Sequence, residues 1–212
     1  MRVAVDGQGN VFVTDSGNNR IQKFDGNGRF LLKWGNYGSG DGQFDDPKGV
    51  AVDGQGNVFV SDSSTNPSQS NNDRIQKFDG NGRFLLKWGS QGTGDGQFYF
   101  PDGIAVDRQD NIFVADNTAS IQKFDKQGHF LLKWDSYNHD IAVDSQGNVF
   151  SVGGREMYIQ KFDGNGKLLL KWGSQGSVDG QFNNPSGIAV DGQGNIFVAD
   201  TFNARIQKFR QR

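Results

Sequence analysis

The 212-residue chain contains no cysteine. That excludes a disulfide framework, a thiolate metal site and a cysteine nucleophile, and it leaves the redox compartment open. Proline is scarce, at 4 residues, so the 31 glycines do not belong to a collagen-like or Pro/Gly-rich disordered chain. Neither charge sign dominates. Against 22 Lys and Arg stand 24 Asp and Glu, and a net charge of −2 draws the chain towards neither nucleic acid nor anionic lipid. No apolar run approaches the ~20 residues of a membrane-spanning helix. Met1-Arg2 leads straight into a strand pattern, which predicts no secretory leader in this chain. Apolar residues at helical spacing are also missing.

What is present is aromatic and periodic. The 18 Phe and 4 Trp argue for a packed interior. Ala-Val-Asp recurs at 4–6, 51–53, 105–107, 142–144 and 189–191, and Ile-Gln-Lys-Phe at 21–24, 75–78, 121–124, 159–162 and 206–209. Leu-Leu-Lys-Trp ends at Trp34, Trp88, Trp134 and Trp172, with no fifth copy. Each unit reads as four short strands, here lettered A to D. In the second unit they are Gly-Val-Ala-Val-Asp (49–53), Val-Phe-Val (58–60), Ile-Gln-Lys-Phe (75–78) and Phe-Leu-Leu-Lys-Trp (84–88). The turns Asp-Gly-Gln-Gly-Asn (53–57) and Asp-Gly-Asn-Gly (79–82) supply glycines for positive φ. Four strands in every ~40–50 residues make a propeller blade. The fold class is therefore all-β: one propeller domain over 1–212, with blades near 1–46, 47–100, 101–138, 139–184 and 185–212. The last blade has three strands.

The pattern Pro-x-Gly-[Ile/Val]-Ala-Val-Asp, Gly-Asn-[Val/Ile]-Phe-Val-x-Asp, Asn-x-Arg-Ile-Gln-Lys-Phe resembles the NHL repeat, over nearly the whole chain. The resemblance implies a propeller, usually of six blades, closed by a strand borrowed from the other terminus. This sequence departs on both counts, which predicts a five-bladed ring or a piece that completes itself by association. Arg205, Lys208, Arg210 and Arg212 on the last strand are charges of the kind that guard an exposed edge.

Length varies on one face only. The A–B and C–D connections are constant. The B–C connection has 5, 12, 4, 5 and 5 residues, and the D–A connection 15, 15, 6 and 15. Insertions confined to one face often mark the binding face of a repeat protein. The second blade inserts seven residues within 63–74, including Pro67. The fourth replaces the strand-B Asp by Gly153 and reads Arg155-Glu156-Met157-Tyr158 where others read Asn-x-Arg.

The chemistry is weighed residue by residue. Asp15 with Arg20, Asp62 with Arg74, and Asp200 with Arg205 recur at the B–C corner, as structural pairs would. Asp-Gly-Gln-Gly-Asn offers one carboxylate per loop, too few for calcium, and reads as turn chemistry. His129 replaces an Arg in a C–D turn. His139 neighbours Asp140, an acid/base pairing without a nucleophile motif. Related propellers include a metal-dependent amidating lyase and calcium-dependent lactonases, but the His ligands of the first and a carboxylate cluster for the second are missing. No catalytic residue, metal site or cofactor is predicted.

The resemblance also implies single-stranded RNA binding as one use of the variable face. Such a face should be basic. Here Asp41, Asp45, Asp46, Asp73, Asp95, Asp102, Asp135, Asp140, Glu156 and Asp179 stand against Arg20, Lys48, Arg74, Arg155 and Arg205. Phe44, Phe98 and Phe182, each ahead of a Pro-x-Gly, are read as wedges between blades. Lys48, Asp102 and Ser186 occupy the variable position of Pro-x-Gly, with Asn138 or His139 at the equivalent place. Together with the irregular Arg155, Glu156 and Tyr158, they are the candidate site. The expected function is a non-catalytic module binding a protein or peptide through the B–C/D–A face. A purely structural or assembly role, a metal-dependent lyase or lactonase-like enzyme and single-stranded RNA binding are the alternatives, and self-association through the open last blade is left open.

Overall fold

The computed structural model describes residues 1–63, 72–136, 139–153 and 157–210. They form five sheets of consecutive antiparallel strands. Blade 1 holds β1 (Val3–Val5), β2 (Val11–Asp15), β3 (Arg20–Phe24) and β4 (Phe30–Trp34). Blade 2 holds β5 (Asp46–Val52), β6 (Val58–Ser63), β7 (Arg74–Phe78) and β8 (Phe84–Trp88). Blade 3 holds β9 (Pro101–Val106), β10 (Ile112–Asp116), β11 (Ser120–Phe124) and β12 (Phe130–Asp135). Blade 4 holds β13 (Asp140–Val143), β14 (Val149–Val152), β15 (Ile159–Phe162) and β16 (Leu168–Trp172). Blade 5 has three strands, β17 (Pro185–Val190), β18 (Asn195–Asp200) and β19 (Arg205–Arg210). This is a five-bladed β-propeller. The inner strands begin earlier than the Gly-Val-Ala-Val-Asp pattern predicts, because Asp46 and Pro47 pair with Ser63 and Asp62.

The turns follow from their aspartates. Asp53 accepts the backbone N–H groups of Gln55 and Asn57 on one oxygen and the Asn57 amide on the other. Asp107 and Asp191 repeat the arrangement. These carboxylates are consumed in holding the A–B corner, which is turn chemistry rather than cation chemistry.

Period-two alternation then assembles the blades. On strand C, Gln76 and Phe78 face the preceding blade, and Ile75 and Lys77 the following one. At the four seams from blade 1 to blade 5 a strand-D tryptophan meets the next blade's strand-C phenylalanine. The ring centroids lie 5.7 Å apart for Trp34–Phe78, 5.8 Å for Trp88–Phe124 and Trp134–Phe162, and 6.0 Å for Trp172–Phe209. Phe44, Phe98 and Phe182 are wholly buried beside them. The glycine after Trp (Gly35, Gly89 or Gly173, φ 97–99) folds the chain back so tightly that a Cβ would lie within 2.6 Å of that wedge ring.

The lysines of Ile-Gln-Lys-Phe do not decorate the rim. Lys23, Lys77 and Lys123 lie 4.9–5.2 Å over the strand-B rings of Phe12, Phe59 and Phe113. Their ammonium groups donate to carbonyls of the next blade's C–D turn at Gly80, Lys126 and Gly164. They are seam cations. Among the described residues, four buried apolar clusters join blades 1–2, 2–3, 3–4 and 4–5, and none joins blade 5 to blade 1.

Candidate functional site

The inner strands bring the variable position of each blade to the hub. Blade 1 fixes that position in blade 2, since Thr14 Oγ1 donates to the Lys48 carbonyl at 3.0 Å and Ser16 Oγ to that of Pro47. Blade 2 does the same for blade 3: Ser61 Oγ donates to the Asp102 carbonyl and Ser63 Oγ to that of Pro101, both at 2.8 Å. The backbone is therefore pinned while the side chains differ.

Lys48, Asp102 and His139 line one cavity of about 200 Å³ together with Ser63, Phe100, Asp116 and Asn117. Lys48, Asp102 and Ser186 also line a larger one of about 630 Å³, with Arg2, Asp140, Val3, Phe197 and Ile206. Four of the eight sequence-predicted binding residues thus gather at the mouth. Tyr158 does not join them. It occupies the place of Arg74 in its blade and is buried under the Lys171 ammonium, 3.4 Å from the ring centroid. Asn138, Arg155 and Glu156 lie outside the described residues.

The centre of the mouth is Arg2, which the repeat pattern did not single out. Its guanidinium pairs with Asp140 at 2.6 Å and Asp102 at 3.3 Å. It also donates to the carbonyls of Ser186 and His139. Asp140 further accepts the Ile188 N–H at 2.9 Å. Burial pushes the Asp140 carboxyl up to about 6, against the lowering effect of Arg2 and with a smaller upward push from Asp102. The signal was legible in the repeat: blades 2, 3 and 5 carry Gly49, Gly103 and Gly187 where blades 1 and 4 carry Arg2 and Asp140.

His139 makes no acid/base pair with Asp140, whose carboxylate is turned to Arg2. The histidine that meets a carboxylate is His129, whose Nδ1 lies 2.8 Å from Asp125 in an exposed turn on the other face. Among the described residues, no group of three His, Asp or Glu is placed to hold a metal ion.

The B–C corners carry ion pairs: Asp15–Arg20 at 2.7 Å, Asp62–Arg74 at 3.2 Å and Asp200–Arg205 at 2.8 Å. In blades 2 and 5 the arginine also clamps the incoming D–A arm. Arg74 donates to the carbonyls of Ser39, Gly40 and Gln43, and Arg205 to those of Val178 and Gln181. Part of the acidity of this face is compensated: Lys87 of the outer strand pairs with Asp41 at 2.6 Å, and Lys48 at the mouth pairs with Asp46 at 2.5 Å.

Comparison with known proteins agrees with this geometry. The NHL repeat family model matches residues 2–24 and 182–209, strands A to C of the first and last blades. The chain is a five-bladed β-propeller with NHL repeat matches in its first and last blades. It is 34% identical over 79 residues to protein brain tumor of Drosophila melanogaster, a stretch covering 37% of this chain and 7% of the fly protein, so the chain spans a small part of that relative's length. Virginiamycin B lyase from Staphylococcus aureus superposes with a TM-score of 0.66 at 14% identity, over 98% of this chain and 68% of the lyase. A protein of unknown function from Bacteroides thetaiotaomicron gives 0.70 at 19% identity, over 98% of this chain and 58% of that one. At such identities the likeness is one of fold. Among the described residues, no helix of this propeller is long and apolar enough to cross a membrane.

Proposed function

We propose that this propeller is a non-catalytic interaction module that binds a protein or peptide partner at the hub mouth of its length-variable face, through Lys48, Asp102, His139 and Ser186. One observation carries the reading. These four residues hold a single structural position in consecutive blades, Lys48 and Asp102 have their backbones pinned by hydroxyls of the blade before, and the four side chains differ in charge and size around two adjoining cavities. A position whose backbone is held in place while its side chain varies around a cavity is suited to recognition rather than packing. Asp102 remains a third exposed beside Arg2 and offers its carboxylate to a basic side chain of the partner. The lyase among the fold neighbours supports enzymatic chemistry only by analogy, and among the described residues the mouth gathers no triad of nucleophile, base and orienting group.

The test is to pan a displayed peptide library against the immobilised chain and footprint the selected peptides by hydrogen exchange. Protection at the mouth, with roughly tenfold weaker binding for Lys48→Ala or Asp102→Ala, is the expected result. Failure to enrich any peptide, or a footprint on the A–B and C–D turns, overturns the reading. Binding of poly-U with a steep salt slope would move the module to nucleic acid.

A further inference from the structure

Three D–A arms of equal length seat on the blade that follows them; the receptors of blades 2 and 5 share one chemistry, while that of blade 3 has Thr118 and Ser120 in place of the Asn and Arg and keeps the glutamine, Gln122. On blade 2, Asn72 donates to Gly38 O, Arg74 to three arm carbonyls and Gln76 to Gln43 O, while Gln76 Oε1 accepts from Gly42 N. On blade 5, Asn203, Arg205 and Gln207 repeat these bonds to Gly176, Val178 and Gln181, with Gly180 N donating back to Gln207. Phe78 and Phe209 meet the wedge Phe44 and Phe182 at 5.7 and 5.9 Å.

Blade 1 carries the same set, Asn18, Arg20, Gln22 and Phe24, and no arm reaches it. The three polar groups bond Asp15, at 2.9, 2.7 and 2.9 Å, as Asn203, Arg205 and Gln207 bond Asp200, and among the described residues their remaining N–H groups meet no arm. Phe24 touches only its own blade's Phe30 among the aromatic rings. Val3 is 61% exposed where the equivalent Val50 and Ile104 are buried, and Val5 is 61% exposed where Val52 and Val106 are half-buried. Across the cleft, Ile206 is 65% exposed where Ile21, Ile75, Ile121 and Ile159 are fully buried, and β19 has an unpaired edge. The missing group has a definite shape: a strand ending in Trp, then a glycine-rich turn closing on Gly-Gln-Phe.

We infer that the cleft between blades 5 and 1 is a docking site for an extended segment of a partner polypeptide with that chemistry. Its strand adds antiparallel to β19, placing a Trp opposite Ile206 and against Phe24, as Trp172 stands opposite Ile159 and against Phe209. Its turn leaves the bonds to Asp15 in place, as blade 5 keeps those to Asp200 beside a seated arm, takes the remaining N–H groups of Arg20, Asn18 and Gln22 on its carbonyls, and buries its Phe beside Val3 and Val5. A second copy of this chain is a poor occupant, because its three arms are already seated on their own blades. The site is separate from the mouth residues proposed above and does not depend on their role.

The probe is a synthetic peptide of residues 168–184 of this chain, which holds the Leu-Leu-Lys-Trp strand and the complete arm. Titration calorimetry of the full chain should give saturable one-to-one binding, with new amide protection along β19. Arg20→Ala should weaken it roughly tenfold, since charge-assisted bonds to the arm are lost. Replacing the peptide's own Trp172 by Ala should weaken it at least as much while leaving the folded chain untouched. No saturable binding, binding indifferent to the Trp, or light scattering that shows the cleft already closed by a second copy overturns the proposal.

Discussion

Arg2 of the first blade and Asp140 of the fourth meet at 2.6 Å across the hub, at the one repeat position where blades 2, 3 and 5 keep glycine. The two exceptions answer each other: where a side chain replaced hydrogen, the opposite charge was placed within its reach. Arg2 is also the bridge over the seam between blades 5 and 1, which no apolar cluster of described residues spans.

Removing Arg2 should therefore cost more than an ordinary surface ion pair. Arg2→Ala leaves a buried carboxylate with only backbone N–H groups, those of Ile188 and Ile141, to offset its charge, and a loss of about 2–4 kcal/mol in urea unfolding is expected. Adding Asp140→Asn should recover part of it, giving a coupling of at least about 1 kcal/mol in the double-mutant cycle. Independent, additive losses would show that the pair does not hold the hub.

The glycines at the equivalent position make a sharper contrast. A Cβ on Gly49 would run into the Asp102 carbonyl and come within 2.8 Å of Ile104 and Ser61. On Gly187 the nearest atom is the Ala199 Cβ at 3.5 Å. Gly49→Ala should destabilise by about 1–3 kcal/mol through overpacking. Gly187→Ala should be neutral, or stabilise by up to ~1 kcal/mol through a less flexible unfolded chain. Parallel melts of the two variants decide the matter, and equal losses would contradict the packing described.

Strand order, the three-stranded last blade and the wedge phenylalanines were all legible in the sequence, because each is written several times and the alternation of Ile-Gln-Lys-Phe assigns its faces. The partnership of Arg2 and Asp140 was not. Each departs from the repeat once, and only the closing of the blades around a hub brings them together. The arm clamp was hidden for another reason: Arg74 has a partner in its own hairpin, Asp62, and that pairing accounts for the residue before its reach to Ser39, Gly40 and Gln43 is seen. The seam role of Lys23, Lys77 and Lys123 was not legible either, because alternate polar residues on a strand fit a solvent-facing pattern, whereas the turn of the next blade covers them.

Acid should first stabilise this protein. Burial pushes Asp62 up to about 7, against the opposing charge of Arg74 and the N–H groups of Asp45 and Asp46, and Asp140 up to about 6. At pH 8 both folded and unfolded carboxyls are ionised, and the folded state bears the cost of two buried charges. As the pH falls through 7 and 6 these groups take up protons in the folded state before the unfolded chain does near ~4, so stability rises, by at most about 1.4 kcal/mol per pH unit per group. Asp6, Asp15, Asp125 and Asp200 are held below the usual carboxylate value by side-chain and backbone hydrogen bonds that outweigh their burial, so the stability they add is lost only below about pH 4. The melting temperature should climb from pH 8 to 5 and fall below 4. Asp62→Asn should flatten the climb, and an unchanged slope would mean that Asp62 does not titrate there.

The corner arginines should rank by what they clamp. Arg74 is almost fully buried between Asp62 and three carbonyls of the incoming arm, so Arg74→Ala strands a buried carboxylate and frees the arm, for a loss of about 3 kcal/mol or more. Arg205 makes two arm bonds at a more exposed corner and should fall between. Arg20 reaches only Asp15, with both partners partly exposed, and Arg20→Ala should cost under about 1 kcal/mol in the isolated chain. The ordering Arg74, Arg205, Arg20 in guanidinium unfolding follows from the seated arms and the burial that goes with them, since all three blades carry the same Asp–Arg hairpin pair. If the three losses come out equal, the hairpin pair alone explains them, and the receptor on blade 1 loses its physical basis.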